Sequence, residues 1–160
     1  MQLTVRPYAR HNDFRRLTTF LAQCRSNIDH AHYLHIGDLV WQVFHMLAEY
    51  QPSDILHLWE DEQQNLVGFV LMYPPFGMFD LQLLPTYSGS TVEADMLTWV
   101  QNYFKMKRQQ ATPGDLYTLV HERDTQRIVL LEANGFVRGA PWLYLQRSLA
   151  ESLPEHPTIE

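Results

Sequence analysis

Apolar positions along the chain change their spacing several times, and each change marks an element. Leu3–Arg6 reads as a short strand closed by Pro7, which has no N–H to continue a ladder. From Asn12, a plausible helix N-cap, Phe14, Leu17, Leu21, Cys24 and Ile28 recur at three- and four-residue spacing, the period of an amphipathic helix. A shorter helix is expected from Asp38 to about Leu47, with Leu39, Val40, Val43, Phe44 and Leu47 inward. Three strand-like runs follow with no helical stretch between them: Ile55–Trp59, Leu66–Met72 and Met78–Leu84. The polar turn Asp61–Asn65 and the breaker cluster Tyr73–Gly77 are short connections, so these runs should form an antiparallel meander.

The helical period returns from Thr91 to Lys107, with Val92, Met96, Val100, Tyr103 and Phe104 inward. Pro113-Gly114 marks a loop, Leu116–His121 reads as a strand, and Asp124–Ala133 as a helix stopped by Asn134-Gly135. A last strand, Trp142–Arg147, completes the order β-α-α-β-β-β-α-β-α-β. That order predicts an α+β (mixed α/β) architecture of helices on a mostly antiparallel sheet, in one domain spanning 1–149. Residues 150–160, acidic and holding two prolines, read as a frayed tail.

Composition narrows the class. A hydrophobic share of 46% with 19% charged residues is globular rather than disordered. No apolar run approaches the ~18–20 residues that span a bilayer, so no membrane association is expected. Met1–Pro7 carries no apolar leader, and a single cysteine excludes an internal disulfide framework, so a cytoplasmic protein is expected. Cys24 lies on an apolar stripe and reads as a buried thiol, not a nucleophile. The net charge of −6 argues against nonspecific nucleic-acid binding. That charge is unevenly spread. Between Arg25 and Lys105 there is no Lys or Arg, while ten Asp and Glu residues fall there. Such a stretch is either a solvated face, the plain reading of Glu60-Asp61-Glu62, or a surface that attracts a cationic partner such as an amine.

Two segments resemble a known superfamily. Leu130-Leu131-Glu132-Ala133-Asn134-Gly135-Phe136 is similar to the "leucine-tyrosine-glutamate-x-x-glycine-phenylalanine" end of the fourth helix in the GNAT superfamily of acyl-CoA-dependent N-acyltransferases. Leu83-Leu84-Pro85-Thr86-Tyr87-Ser88-Gly89 resembles that superfamily's "valine-x-proline-x-tyrosine-arginine-glycine" segment. The resemblance spans Leu3 to Leu149. It implies a sheet of about six to seven strands, splayed between strands four and five and flanked by about four helices. It also implies acetyl-CoA as co-substrate and transfer of an acetyl group to a primary amine by direct attack. The acceptor would be a small molecule or a peptide, and a homodimer is left open.

The same resemblance implies where the parts lie. Amides near Leu83 and Leu84 would hold the thioester carbonyl, and the loop Ser88, Gly89, Ser90 and Thr91 would hold the CoA diphosphate at a helix N-terminus. Asp124 stands near the helix-start asparagine that contacts pantetheine in the superfamily; it is equally a plain N-cap. The acceptor pocket would be shaped by His35–Trp41, where Asp38 and Trp41 receive a cationic or planar acceptor, unless Asp38 is only an N-cap and Trp41 only core.

Several defining positions depart from the pattern. Ser88 replaces the basic or amide residue, Thr91 and Glu93 replace two small residues, and Leu131 replaces the tyrosine that protonates the departing thiolate. Ser90-Thr91-Val92-Glu93 reads as a capping box, so the helix start is either self-capped or still open to a diphosphate with Glu93 turned to solvent. Tyr144 or Tyr117 would substitute as acid. The candidate base is Asp80, which period-2 alternation places with Gln82 opposite Phe79, Leu81 and Leu83. Its plain reading is a solvent-facing strand residue. Lys105, Lys107, Arg108, Arg123 and Arg127 could reach an outlying phosphate or be surface residues. The histidines 30, 32, 35 and 45 match no strong ligand spacing, so no metal is expected. The alternative to an enzyme is a non-catalytic GNAT-like domain that binds a small molecule or a protein.

Overall fold

A computed structural model describes residues 3–9, 11–27, 34–108 and 114–141. Strands β1 (Thr4–Pro7), β2 (Leu56–Glu60), β3 (Leu66–Tyr73) and β4 (Met78–Leu83) form one sheet in chain order. Every neighbouring pair is antiparallel, as the short turns require for β2–β3 and β3–β4. Asp61 builds the β2–β3 turn by accepting from the N–H groups of Gln63 and Asn65 at 3.0 and 2.7 Å.

Helices cover both faces. Helix α1 (His11–Asn27) and α2 (Ile36–Trp41), which runs on into a π-helical turn at Gln42–Met46, pack on the face that carries Leu56, Leu58, Phe69, Leu71 and Tyr73. A short α3 (Pro52–Ile55) leads into β2. Helices α4 (Thr91–Arg108) and α5 (Thr125–Ala133) cover the opposite face, with Val70, Met72, Phe79, Leu81 and Leu83. Period-2 alternation along β3 and β4 therefore feeds two cores, so β3 is buried from Val67 to Tyr73.

Several expectations shift. Helix α1 already includes Asn12, which is not its cap, and its buried stripe adds Phe20. Helix α2 begins earlier than Asp38: His35 is the N-cap and its Nδ1 accepts from the Gly37 N–H at 3.0 Å. Only Leu39, Val43 and Leu47 turn inward, while Val40 and Phe44 are exposed, because the π turn leaves a stripe one residue wide. The end of α5 is a Schellman motif: Phe136 N–H reaches Leu131 O and Gly135 N–H reaches Glu132 O, both at 3.1 Å, with Gly135 at φ 84°. That geometry is the physical content of the Leu130–Phe136 segment, and it seats Phe136 on Phe79.

The sheet itself is smaller than the six to seven strands expected: among the described residues it has four. The segment Leu116–His121 keeps an alternating burial pattern but joins β4 only at Tyr117, through a single parallel bridge to Met78. The expected last strand Trp142–Arg147, with Tyr144, and the tail 150–160 lie outside the described residues. No helix among the described residues is long and apolar enough to cross a membrane.

One buried group makes folding pH-dependent. His57 on β2 packs against Trp99 and Tyr103 of α4, with ring centroids 4.6 and 5.6 Å apart, and its Nδ1 is buried with no partner among the described residues. Burial pushes its pKa down to about 4, with Lys107 adding to the fall and Asp54 opposing it. The native ring stays neutral where the unfolded ring takes a proton, so stability is full above the ordinary histidine pKa and is lost as pH falls from 6.5 towards about 4. The slope is at most ~1.4 kcal/mol per pH unit and smaller here, because the ring keeps part of its exposure to water. Denaturant melts between pH 7 and pH 4 should show a shallower pH dependence in His57→Phe than in the unsubstituted protein.

Candidate functional site

The register of the sheet decides which backbone groups of β4 are available. Leu84 N–H bonds Val67 O at 2.9 Å, which makes residues 78, 80, 82 and 84 the ones that bond β3. Phe79, Leu81 and Leu83 then turn N–H and C=O away from β3, towards the segment after Asp115. At Phe79 this edge is closed: its N–H reaches Tyr117 O at 3.0 Å, and Tyr117 N–H reaches Gly77 O at 2.8 Å. Beyond Phe79 the two chains part. A cleft opens there, lined by Phe79, Leu81, Leu97, Thr118, Leu130 and Leu131, with the Arg127–Glu93 pair at its side. Among the described residues the contact with this segment is a single bridge, at Tyr117, and no fifth strand continues along β4. Leu81 N–H meets no acceptor among the described residues, whereas Leu81 O accepts from Arg127 Nη1 at 3.1 Å. That guanidinium takes the carbonyl a continuing strand would have bonded, which is a physical reason for the Leu116–His121 segment to leave β4 after Tyr117.

The start of α4 forms the far wall. Gly89 sits at φ 69°, and a Cβ there would lie 2.9 Å from Gln126 Oε1, so the loop is written for glycine. Ser90 Oγ donates to Tyr87 O at 2.6 Å and accepts from Val92 N–H at 3.2 Å. Glu93, 1% exposed, reaches back to accept from Gly89 N–H at 2.7 Å. Its other oxygen accepts from Arg127 Nε at 2.6 Å. The self-capped reading of this helix start is the one formed, displaced by one residue from the usual box, in which the carboxylate bonds the cap residue itself. Glu93 is not turned to solvent: it belongs to the buried α4 stripe with Met96, Leu97, Val100 and Phe104. Ser88 and Thr91 are exposed beside it. Asp124 is the N-cap of α5, accepting from Arg127 N–H at 3.2 Å.

The other side of β4 carries a second polar group. Asp80 accepts from Gln82 Nε2 at 2.6 Å, and Gln82 Oε1 accepts from Leu34 N–H at 3.2 Å, tying the approach to α2 onto the strand. Burial pushes the Asp80 carboxyl above the usual carboxylate range, against the Gln82 hydrogen bond and the Arg127 charge. Asp80 is therefore not a freely solvated strand residue. Nearby, Tyr73 is buried and donates to Gln42 Oε1 at 2.7 Å; burial, then the charges of Asp80 and Asp38, make it harder to ionise. Asp38 is exposed in the first turn of α2 rather than capping it, and Trp41 is 53% exposed rather than core, with its ring 5.7 Å from that of His45.

The structure brings some candidates together and separates others. Asp80, Asp38 and the α2 turn share the α1/α2 side of the sheet; Leu83, Gly89, Ser90, Thr91 and Asp124 gather at the open edge of β4 and the start of α4. Leu84 is a correction: its N–H is bonded to Val67 O of β3 and is not free to meet a ligand, whereas the Leu81 N–H faces the cleft. Tyr117 is exposed and its hydroxyl donates to Asp115 at 3.2 Å, away from the cleft. Leu131 lines the cleft but carries no proton donor. His30 and His32 lie outside the described residues, among which no three potential metal ligands converge. Sequence reasoning missed Leu81, Tyr73 and Gln42 as members of these groups. It also left Arg127 among surface cations, although Arg127 follows Asp124 by three residues and so faces the carboxylate at the start of its own helix.

No protein-family model and no curated protein matches the sequence. Solved structures do match the fold. A GCN5-related N-acetyltransferase from Sphaerobacter thermophilus aligns over 83% of this chain with a TM-score of 0.63 and 11% identity; the chain spans 42% of that protein's length. An acetyltransferase of the GNAT family from Staphylococcus aureus Mu50 aligns over 84% of each chain, with a TM-score of 0.56 and 14% identity. Spermidine N-acetyltransferase from Vibrio cholerae, solved with CoA and spermine, covers 87% of this chain and 83% of its own, with a TM-score of 0.54 and 18% identity. The chain has the GNAT fold.

Proposed function

We propose that this protein is an N-acetyltransferase that moves an acetyl group from acetyl-CoA to the primary amine of a small-molecule or peptide acceptor. The observation that carries the reading is the Leu81 N–H on the β4 edge, which meets no acceptor among the described residues and faces a cleft where a fifth strand would pair. An extended amide chain such as pantetheine bonds a strand edge of this kind as a neighbouring strand would. The diphosphate would lie at the loop Ser88–Thr91 and the first turn of α4.

In this reading the amine approaches from the α1/α2 side, where Asp38 and Trp41 are exposed and Asp80 is desolvated. Asp80 takes a proton from the ammonium, directly or through water, and the free amine attacks the thioester carbonyl. Leu81 N–H stabilises the oxyanion, and as the adduct collapses the thiolate leaves as CoA with the proton that the attacking nitrogen gives up. No covalent enzyme intermediate is needed, and Cys24, buried on the inner face of α1, takes no part. The acidic middle of the chain favours a cationic acceptor, as does the likeness to a protein solved with spermine. A second reading, a GNAT-like domain that binds without catalysis, is favoured by Leu131 in the cleft and by Glu93 on the Gly89 N–H.

Calorimetric titration tests the two. Acetyl-CoA should bind with a Kd in the micromolar range, weakened at least tenfold in an analogue that lacks the diphosphate, and amines should then be acetylated. No heat at millimolar acetyl-CoA would overturn the enzyme reading. Binding with no turnover across polyamines and peptide N-termini would favour the second.

A further inference from the structure

One ion pair in the wall of the cleft touches both the start of α4 and the edge of β4. Glu93 Oε2 accepts the Gly89 N–H at 2.7 Å at the helix end. Glu93 Oε1 holds Arg127 Nε at 2.6 Å, and Arg127 Nη1 holds Leu81 O at 3.1 Å at the strand end. Side-chain exposures of 1% for Glu93 and 17% for Arg127 place the pair inside the fold rather than on its surface. A carboxylate on a loop N–H at a helix start stands where an anionic ligand would stand. A guanidinium on a strand-edge carbonyl stands where an amide of an extended ligand would stand.

We propose that the Glu93–Arg127 pair is an internal latch that holds the cleft closed to the acyl donor, so that CoA binds by displacement. This rests on the proposed acetyl-CoA site. The donor's diphosphate draws Arg127 off Glu93 and Leu81 O, Glu93 leaves the Gly89 N–H, and both backbone groups pass to the ligand. The device is two-state, because neither residue can leave alone without stranding the other's charge in a buried setting. Donor affinity is therefore lower than the backbone geometry allows, by the fraction of time the latch stays shut. Removing the carboxylate should raise affinity, while removing the guanidinium leaves a buried negative charge facing the diphosphate and should lower it.

Calorimetry with CoA on the unsubstituted protein, Glu93→Ala, Glu93→Gln and Arg127→Ala tests this. A latch predicts at least tenfold tighter binding in Glu93→Ala, an intermediate gain in Glu93→Gln, and weaker binding in Arg127→Ala. Micromolar binding by the unsubstituted protein, with no gain in either Glu93 variant, overturns the latch and leaves the function standing. No binding by any of the four proteins overturns both. Should the variants fail to fold, NMR on the unsubstituted chain decides: under CoA titration the Gly89 amide and the Arg127 Nε–H signals should move together. A bound complex with the Arg127 Nε–H signal unmoved overturns the latch.

Discussion

Asp80→Asn is expected to lower kcat by a factor of about 10²–10³ while leaving the affinity for acetyl-CoA unchanged. The loss follows from what the position supplies. Asp80 stands on the α1/α2 side of β4, one residue from the Leu81 backbone that faces the cleft, so its carboxylate lies on the amine's side of the strand. Its pKa is raised by burial, which makes it a stronger base than a solvated carboxylate. The rate should rise with pH through that elevated pKa, and this acid limb should vanish in the asparagine variant. Stability should move the other way. A carboxyl whose pKa is higher folded than unfolded destabilises the fold as pH rises through the two values, because the native state resists ionisation. Asp80→Asn removes that cost, so the variant should melt at or above the temperature of the parent at pH 7. A protein made more stable and less active by one substitution has lost a working group rather than a structural one. A variant that melts lower and keeps its kcat would return Asp80 to the plain reading of a packed strand residue.

The fold was legible where periodicity had one competitor. Leu66–Tyr73 and Met78–Leu83 show extended apolar runs broken by Pro74, Pro75 and Gly77, and their pairing follows from the turn lengths. Helix α4 was legible along its stripe but misread at one position. Glu93 shares a face with Met96, Leu97 and Val100, so the stripe itself predicts burial; the general rarity of buried glutamate argued the other way, and only the Arg127 partner, distant in sequence, reconciles them. The segment Leu116–His121 failed as a strand for the opposite reason. Its alternation is real, but a strand is a property of pairs, and the neighbour's carbonyl at Leu81 is bonded to a side chain from α5. Asp38 and His35 show a nearer limit: Asp38 has the stronger cap propensity, yet the cap is His35, three residues earlier, because the helix starts at Ile36. The strand face that Asp80 shares with Gln82 was legible from alternation alone. Leu81 in place of Leu84 was not, because the face that a backbone amide turns to depends on the register with β3.

Arg6→Ala should destabilise the fold by about 3 kcal/mol, the low end of what removing one partner of a buried ion pair costs, and lower Tm by about 6–12 °C for a chain of this size. Arg6 on β1 is the hub of a network joining three elements. It donates to both Asp13 oxygens at 2.9 and 2.7 Å and to both Glu60 oxygens at 3.0 and 2.8 Å. The Asp13 and Glu60 side chains are only 6% and 8% exposed, so each stays in its place with a full charge when Arg6 is cut back. Arg16 of α1 remains, bonded to Glu60 and to Gln64 O, and softens the loss without covering Asp13, which it meets only at 3.4 Å. This also corrects the reading of Glu60-Asp61-Glu62 as a solvated run, since Glu60 is the anchor of β1 and α1 on β2. The pH dependence separates a charge effect from lost packing. Burial pushes the Glu60 pKa up, but hydrogen bonds from Arg6 and Arg16 outweigh it and hold the group below the usual range. Its contribution is present above the unfolded carboxylate pKa and lost as pH falls through the lower folded value. Arg6→Ala should therefore lose part of its stability deficit in acid, where Glu60 takes a proton and needs no partner. Arg6→Met, which restores much of the side-chain volume without charge, should recover little at pH 7. If instead the methionine variant recovers most of the lost stability at pH 7, the network holds β1 by packing, and its charges are incidental.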